Sequence, residues 1–154
     1  MSAYFFDSSA FVKRFAREKG TAFVLSLLRP SNNHSIYFAR FTEVEVCSAL
    51  ARRTKGNRLT SSQFRKALNR LHRDFAERFV IVSINESTIR LALILSEKYA
   101  LRGYDAIQLA TALEANEKRS QRGLSPLTIV SADSELNTAS QTEGLQVENP
   151  NDYP

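Results

Sequence analysis

Tyr4-Phe5-Phe6-Asp7-Ser8-Ser9 is the stretch that decides the fold. A short apolar run ends abruptly on Asp-Ser-Ser, which reads as a buried strand passing directly into a helix start. The pattern recurs downstream. Ser35-Ile36-Tyr37-Phe38-Ala39 is a second strand, followed by a helix over 42–53 that stops at Gly56-Asn57. Ser125-Pro126 precedes a third strand, Leu127-Thr128-Ile129-Val130, and past Asp133 a helix over 134–142 stops at Gly144. Further helices are expected over 10–17, 21–28, from 60 onward, 87–99 and from Asp105. In the helix from residue 60, Phe64, Leu68, Leu71, Phe75 and Phe79 recur at spacings of three and four. Val80-Ile81-Val82 either extends that helix or forms a short strand, and Gln146-Val147 reads as a last strand. Short apolar strands alternating with helices specify an α/β fold, a central parallel sheet flanked by helices on both faces. Ligands of such sheets sit at the carboxyl ends of the strands, so the polar residues there carry the functional reading.

The chain has 154 residues, with no repeat, low-complexity tract or linker, and is expected to form one domain over 1–154. A single cysteine, Cys47, excludes an internal disulfide framework and reads as a small core residue. The opening residues lack a basic segment and a long apolar run, so no signal peptide is expected. No run approaches the roughly 20 apolar residues of a membrane span, and a cytoplasmic location is the expectation. The net charge is +5. Arg52, Arg53, Lys55, Arg58, Arg65, Lys66, Arg70 and Arg73 crowd one stretch that contains no acid between Cys47 and Arg73. Such a block suits a polyanionic partner, or is simply a solvated helical face.

Three acids stand where the sheet would present a ligand. Asp7 follows the first strand, Asp133 follows the strand ending at Val130, and Asp105 opens a helix after Gly103. Each alone suits a helix cap, because an Asp oxygen accepts the free amides of the first turn. Asp7 and Asp133 together suggest more: carboxylates brought close repel, and a divalent cation such as Mg²⁺ relieves them through oxygen ligands. A fourth acid comes from Thr42-Glu43-Val44-Glu45. Periodicity places Glu43 in the apolar stripe with Val46, Cys47 and Leu50, and Thr42-x-x-Glu45 has the form of a capping box.

Four segments resemble the motifs of PIN domains of the VapC toxin type. Asp7-Ser8-Ser9-Ala10-Phe11-Val12-Lys13-Arg14 is similar to the family's opening Asp-Thr-Ser-Ala-Leu-Val-Lys, with Ser8 in place of Thr. Glu45-Val46-Cys47-Ser48-Ala49 resembles the second motif, whose Thr-plus-three offset selects Glu45 over Glu43. Tyr104-Asp105-Ala106-Ile107-Gln108-Leu109-Ala110-Thr111-Ala112 resembles the third, and Ser131-Ala132-Asp133-Ser134-Glu135-Leu136 the fourth. The motifs follow in the family's order over nearly the whole chain. The resemblance implies a metal-dependent endoribonuclease in which Asp7, Glu45, Asp105 and Asp133 hold Mg²⁺ or Mn²⁺, with Asp7 and Asp105 nearest the ion. Such ions activate water and neutralise phosphate charge. It also implies an RNA substrate of the tRNA or rRNA class, a VapB-type antitoxin that covers the groove with its C-terminal segment, and a homodimer. Ser9 is expected to contact substrate or support the site, and Arg65, Lys66, Arg70 and Arg73 to bind RNA. Glu135 reads as an acid of a first helical turn.

The other classes fit less well. His34 and His72 have no partner at metal-ligand spacing, which argues against zinc, and His72 reads as a surface residue. No glycine-rich phosphate loop is present. A housekeeping RNA-processing nuclease of the same family is the alternative enzyme. A receiver-like signalling domain would need an acidic pair near the first strand and a lysine at a later strand end, and a haloacid-dehalogenase phosphatase needs Asp-x-Asp, where Ser9 stands in the second position.

Overall fold

The computed structural model describes residues 1–154. Strand β1 (Ala3–Phe6) passes through Asp7 into the one-turn helix α1 (Ser8–Phe11), which continues as a 3-10 turn over Val12–Phe15. Helix α2 (Thr21–Leu27) and a 3-10 turn at Pro30–Asn32 lead to β2 (Ser35–Ala39). Helices α3 (Thr42–Lys55) and α4 (Ser61–Glu77) connect β2 to β3 (Val80–Val82). Helices α5 (Glu86–Tyr99) and α6 (Gly103–Gln121) lead to β4 (Leu127–Val130). Helix α7 (Ser134–Thr142), β5 (Gln146–Glu148) and a 3-10 turn at Pro150–Asp152 follow.

The five strands form one sheet in the order β3-β2-β1-β4-β5, and every pairing is parallel. Parallel neighbours need crossover connections, which the helices supply. A right-handed crossover places its helices on one face when the chain steps one way along the sheet, and on the other when it steps back. The path from β1 to β3 runs one way and from β3 to β5 the other, so helices cover both faces. Adjacent side chains of β1 show the division. Phe5 packs with Leu95, Leu109 and Leu136 from α5, α6 and α7. Phe6 packs with Phe11, Val46 and Leu71 from α1, α3 and α4, in a cluster that also holds Phe38 and Phe75. The apolar positions of α4 are thus core. No helix is long and apolar enough to cross a membrane.

The chain departs from local expectation in two places, the segment after α1 and the start of α6, and chooses between two alternatives at Val80–Val82. The helix expected over 10–17 gives way to the 3-10 turn and ends at Phe15, because Thr21 Oγ1 donates to the carbonyls of Lys13 and Ala16. Arg14 is drawn inward to pair with Asp74 of α4. Val80–Val82 leaves α4 and pairs with Tyr37–Ala39, which makes it a strand. Helix α6 begins at Gly103, not Asp105, so Asp105 lies in its first turn and Arg102 is the cap. The sheet order reverses between β1 and β4, whose following helices leave to opposite faces. That divergence opens the crevice in which α/β sheets bind ligands.

Candidate active site

Asp7 and Asp133 stand at this crevice, one past β1 and one past β4. Both cap the helices they precede, and in each case the cap uses a single carboxylate oxygen. Asp7 Oδ2 accepts Ser9 N at 3.1 Å and also the Ser9 hydroxyl. Asp133 Oδ1 accepts Leu136 N at 2.9 Å. The capping and functional readings of these residues are therefore compatible. Ser9 does more than start a helix. Its Oγ accepts Ala132 N at 3.0 Å and lies 3.4 Å from Ser131 Oγ, which in turn accepts Asp133 N at 3.1 Å. One hydroxyl thus ties the Asp7 turn to the loop that carries Asp133.

Asp105 and Glu45 reach the same place from α6 and α3, and the carboxylates act on one another. Burial pushes the buried Asp7 carboxyl up, its bonds from Ser9 oppose this, and the Asp133 charge adds to the rise. Burial raises Glu45 to about 7, with the charges of Asp7 and Asp105 adding to it. Burial raises Asp105 to about 6, reinforced by Asp7 and Asp133 and opposed by Arg102. The exposed Glu135, in the first turn of α7, adds slightly to the same field.

The two acids of α3 part company. Glu43 accepts Arg40 at 2.7 Å and lies 2.7 Å from His72 Nδ1, so it is tied to one cation and to the exposed His72. Glu45 Oε1 accepts Gln108 Nε2 at 3.2 Å and faces Asp7 and Asp105. The capping box expected at Thr42 and Glu45 does not form. Phe41 precedes the helix with no side-chain cap, and the buried Thr42 hydroxyl accepts Gln108 Nε2 at 3.1 Å instead. Gln108 thereby pins the start of α3 and Glu45 to α6. The sequence held a signal for it: a glutamine inside the apolar run of α6 is fully buried and must find partners.

A hollow of about 600 Å³ opens beside Glu45, lined also by Ser8, Ser9, Phe41, Arg52 and Tyr104. Glu45 is the one member of the acidic group on its wall. Lys66, Arg70 and Arg73 line a different hollow of about 560 Å³ with Asn69, Asp74 and Arg78. The two hollows share no lining residue. Arg65 is exposed on α4 and lines neither. Beneath the basic hollow, burial and the like charges of Arg70 and Arg78 lower Arg14, against the opposing pull of Asp74.

The four carboxylates present only oxygen donors, the chemistry that Mg²⁺ and Mn²⁺ take. Their mutual repulsion is what a divalent cation would relieve. As the side chains stand, no three His, Cys, Asp or Glu are close enough to hold an ion by themselves. The fit lies in the kind of donor and the charge, not in a finished cage.

Residues 4–140 match the family model described as PIN domain. The chain is 29% identical over 147 residues to Ribonuclease VapC45 of Mycobacterium tuberculosis, covering 96% of this chain and 95% of that protein. Its fold is similar to that of a VapBC2 structure from Rickettsia felis, solved bound to a DNA fragment from the promoter. The TM-score is 0.60 at 14% identity, with 96% of this chain and 98% of that one covered. FitAcB from Neisseria gonorrhoeae is similar at a TM-score of 0.58 and 17% identity, with coverage of 96% and 97%.

Proposed function

Because the chain belongs to the PIN domain family, we propose that it is a VapC-type endoribonuclease, the toxin of a toxin–antitoxin pair, acting on RNA of the tRNA or rRNA class. One observation carries the reading. Carboxylates from four separate segments face the sheet's switch point, and burial together with the charges of their acidic neighbours raises the proton affinity of three of them, Asp7, Glu45 and Asp105. A stable fold gains nothing from such crowding, whereas a site for a divalent cation and a phosphodiester requires it. The relatives named as VapC ribonucleases support the chemistry.

Asp7, Glu45, Asp105 and Asp133 would hold Mg²⁺ or Mn²⁺. When bound, the ion lowers the pKa of water and neutralises phosphate charge. The protein's own groups do the rest. Ser9 fixes the Asp7 carboxylate and the Ala132 turn in one geometry. Gln108 holds Glu45 Oε1 toward the crevice. Glu45, raised to about 7 by burial and its acidic neighbours in the metal-free protein, would be held ionised by the cation's charge. Arg52, at the far end of the hollow, is placed to meet a backbone phosphate. The cations of α4 at Arg65, Lys66, Arg70 and Arg73 would take RNA beyond the hollow.

The proposed partner is a VapB-type antitoxin whose C-terminal segment enters the crevice. A peptide arginine suits it, since guanidinium pairs with carboxylates in the cation's place. A homodimer is part of the same reading. The test is purification with the product of the adjacent gene, release of that partner, and incubation of total RNA with Mg²⁺ or with EDTA. Discrete cleavage with Mg²⁺ that EDTA and Asp7→Asn both abolish supports the proposal; intact RNA under every condition overturns it.

A further inference from the structure

We propose that Tyr104 is a stacking platform for one nucleobase of the RNA strand, and so a specificity-determining residue of the site. The inference rests on the ribonuclease reading and deepens it. Tyr104 is 66% exposed, a large aromatic face left in solvent at the edge of the catalytic crevice. One aromatic ring packs beside it. Phe41, itself packed against the core, lies with its ring centroid 5.6 Å away at an interplanar angle of 31°. A ring packed beside a core-anchored neighbour and two-thirds exposed is pre-organised to receive a planar partner, so stacking costs little side-chain freedom.

Its position ties it to the chemistry. Tyr104 directly precedes Asp105 in the first turn of α6, and it lines the hollow that contains Glu45. The opposite limit of that hollow is Arg52, seven residues along α3 from Glu45, or about 10 Å at the helical rise. Arg52 is held there by donating to Ser48 Oγ at 2.7 Å. The hollow thus offers, in one continuous surface, the Glu45 carboxylate at the edge of the acidic group, an aromatic face and a guanidinium. A single RNA strand carries both the phosphates and the splayed bases that such a surface can take. Recognition of single-stranded RNA relies on splayed bases stacked on aromatic rings, with cations tracking the backbone. An apolar peptide side chain would be served equally well by the aliphatic wall at Val12, Val44 and Ala49; what the exposed ring adds is a π face.

The test uses the full chain and a single-stranded RNA that it cleaves, with one abasic nucleotide walked through the positions flanking the cut. In the wild type, one abasic position should raise KM about 5- to 150-fold with kcat little changed, the range for loss of one base–aromatic stack. Tyr104→Ala should show the same rise on intact RNA and lose its sensitivity to that position. Tyr104→Phe, which keeps the ring, should retain that sensitivity, whereas Tyr104→Leu, which keeps only apolar bulk, should not. Melting temperature and Mn²⁺ affinity should be unchanged in Tyr104→Ala, because the ring is exposed. The proposal is overturned if Tyr104→Ala cleaves intact RNA like the wild type, or remains as sensitive to every abasic position. It is overturned in favour of a protein-binding role if the variant loses only inhibition by the antitoxin peptide. A wild-type protein that cuts no RNA would overturn the nuclease reading itself, an outcome distinct from these.

Discussion

Glu45→Gln separates the charge of the site from its shape. The amide matches the acid in size and keeps an oxygen for the Gln108 donor. Burial, then the Asp7 charge, raises the Glu45 carboxyl from 4.5 to about 7 in the folded protein. The fold therefore binds this proton more tightly than the unfolded chain does. Metal-free protein then loses stability as pH climbs from about 4.5 and carries the full cost above about 7. In a dry site that difference would be worth roughly 3 kcal/mol. Glu45 is half-buried on the wall of an open hollow, and solvent screening reduces the figure to about 1–2 kcal/mol. For a domain of this size each kcal/mol moves the melting temperature by about 2–4 °C. Glu45→Gln should melt about 2–8 °C above the wild type in EDTA at pH 8, with the gap closing toward pH 4.5. The same substitution should lower Mg²⁺-dependent cleavage by about 10²-fold or more. Glu43→Gln should give neither effect, because Glu43 already has Arg40 and His72 as partners. Paired melts at pH 5 and pH 8 decide the matter. A Glu45→Gln protein that melts no higher than the wild type at pH 8, or by the same margin at both pH values, refutes the reasoning.

Neutralising Arg65, Lys66, Arg70 and Arg73 together should flatten the salt dependence of RNA binding, by roughly 0.7 in slope for each single-strand phosphate that is no longer neutralised. An unchanged slope in a filter-binding series would make this face merely solvated. Asp74→Ala should cost about 3–5 kcal/mol in urea unfolding, because the Arg14 side chain, only 2% exposed, is left without its main counter-charge. A loss under about 1 kcal/mol would show that the pair is well solvated. The antitoxin's C-terminal peptide should compete with Mn²⁺; peptide and metal bound together at undiminished affinity would rule out an arginine in the cation's place.

The sheet was legible because each of its central apolar runs leads into a helix start; β2 and β4 match the expected residues, and β1 adds only Ala3. Asp7 and Asp133 stood out by position alone. What the sequence hid is tertiary. Thr42-x-x-Glu45 satisfies a local capping pattern, yet Gln108, 66 residues from Thr42, takes the hydroxyl and leaves Glu45 to the crevice. The helical wheel favours Glu43 because it places residues relative to one helix, and the crevice faces α3 from α6 and β1. The early end of α1 has the same origin: Thr21 and Asp74, neither in the segment itself, draw Lys13, Ala16 and Arg14 out of helical register. Tyr104 reads in the sequence only as a motif neighbour of Asp105, since exposure is not a local property.

The most direct test of the four-carboxylate site is Mn²⁺ binding by calorimetry to the wild type and to Asp7→Asn, Glu45→Gln, Asp105→Asn, Asp133→Asn and Glu43→Gln, all without RNA. The expected result is saturable binding to the wild type and to Glu43→Gln, weakened by each of the other four substitutions, most by Asp7→Asn and Asp105→Asn. Equal affinity across all six proteins, or a loss confined to Glu43→Gln, would contradict it.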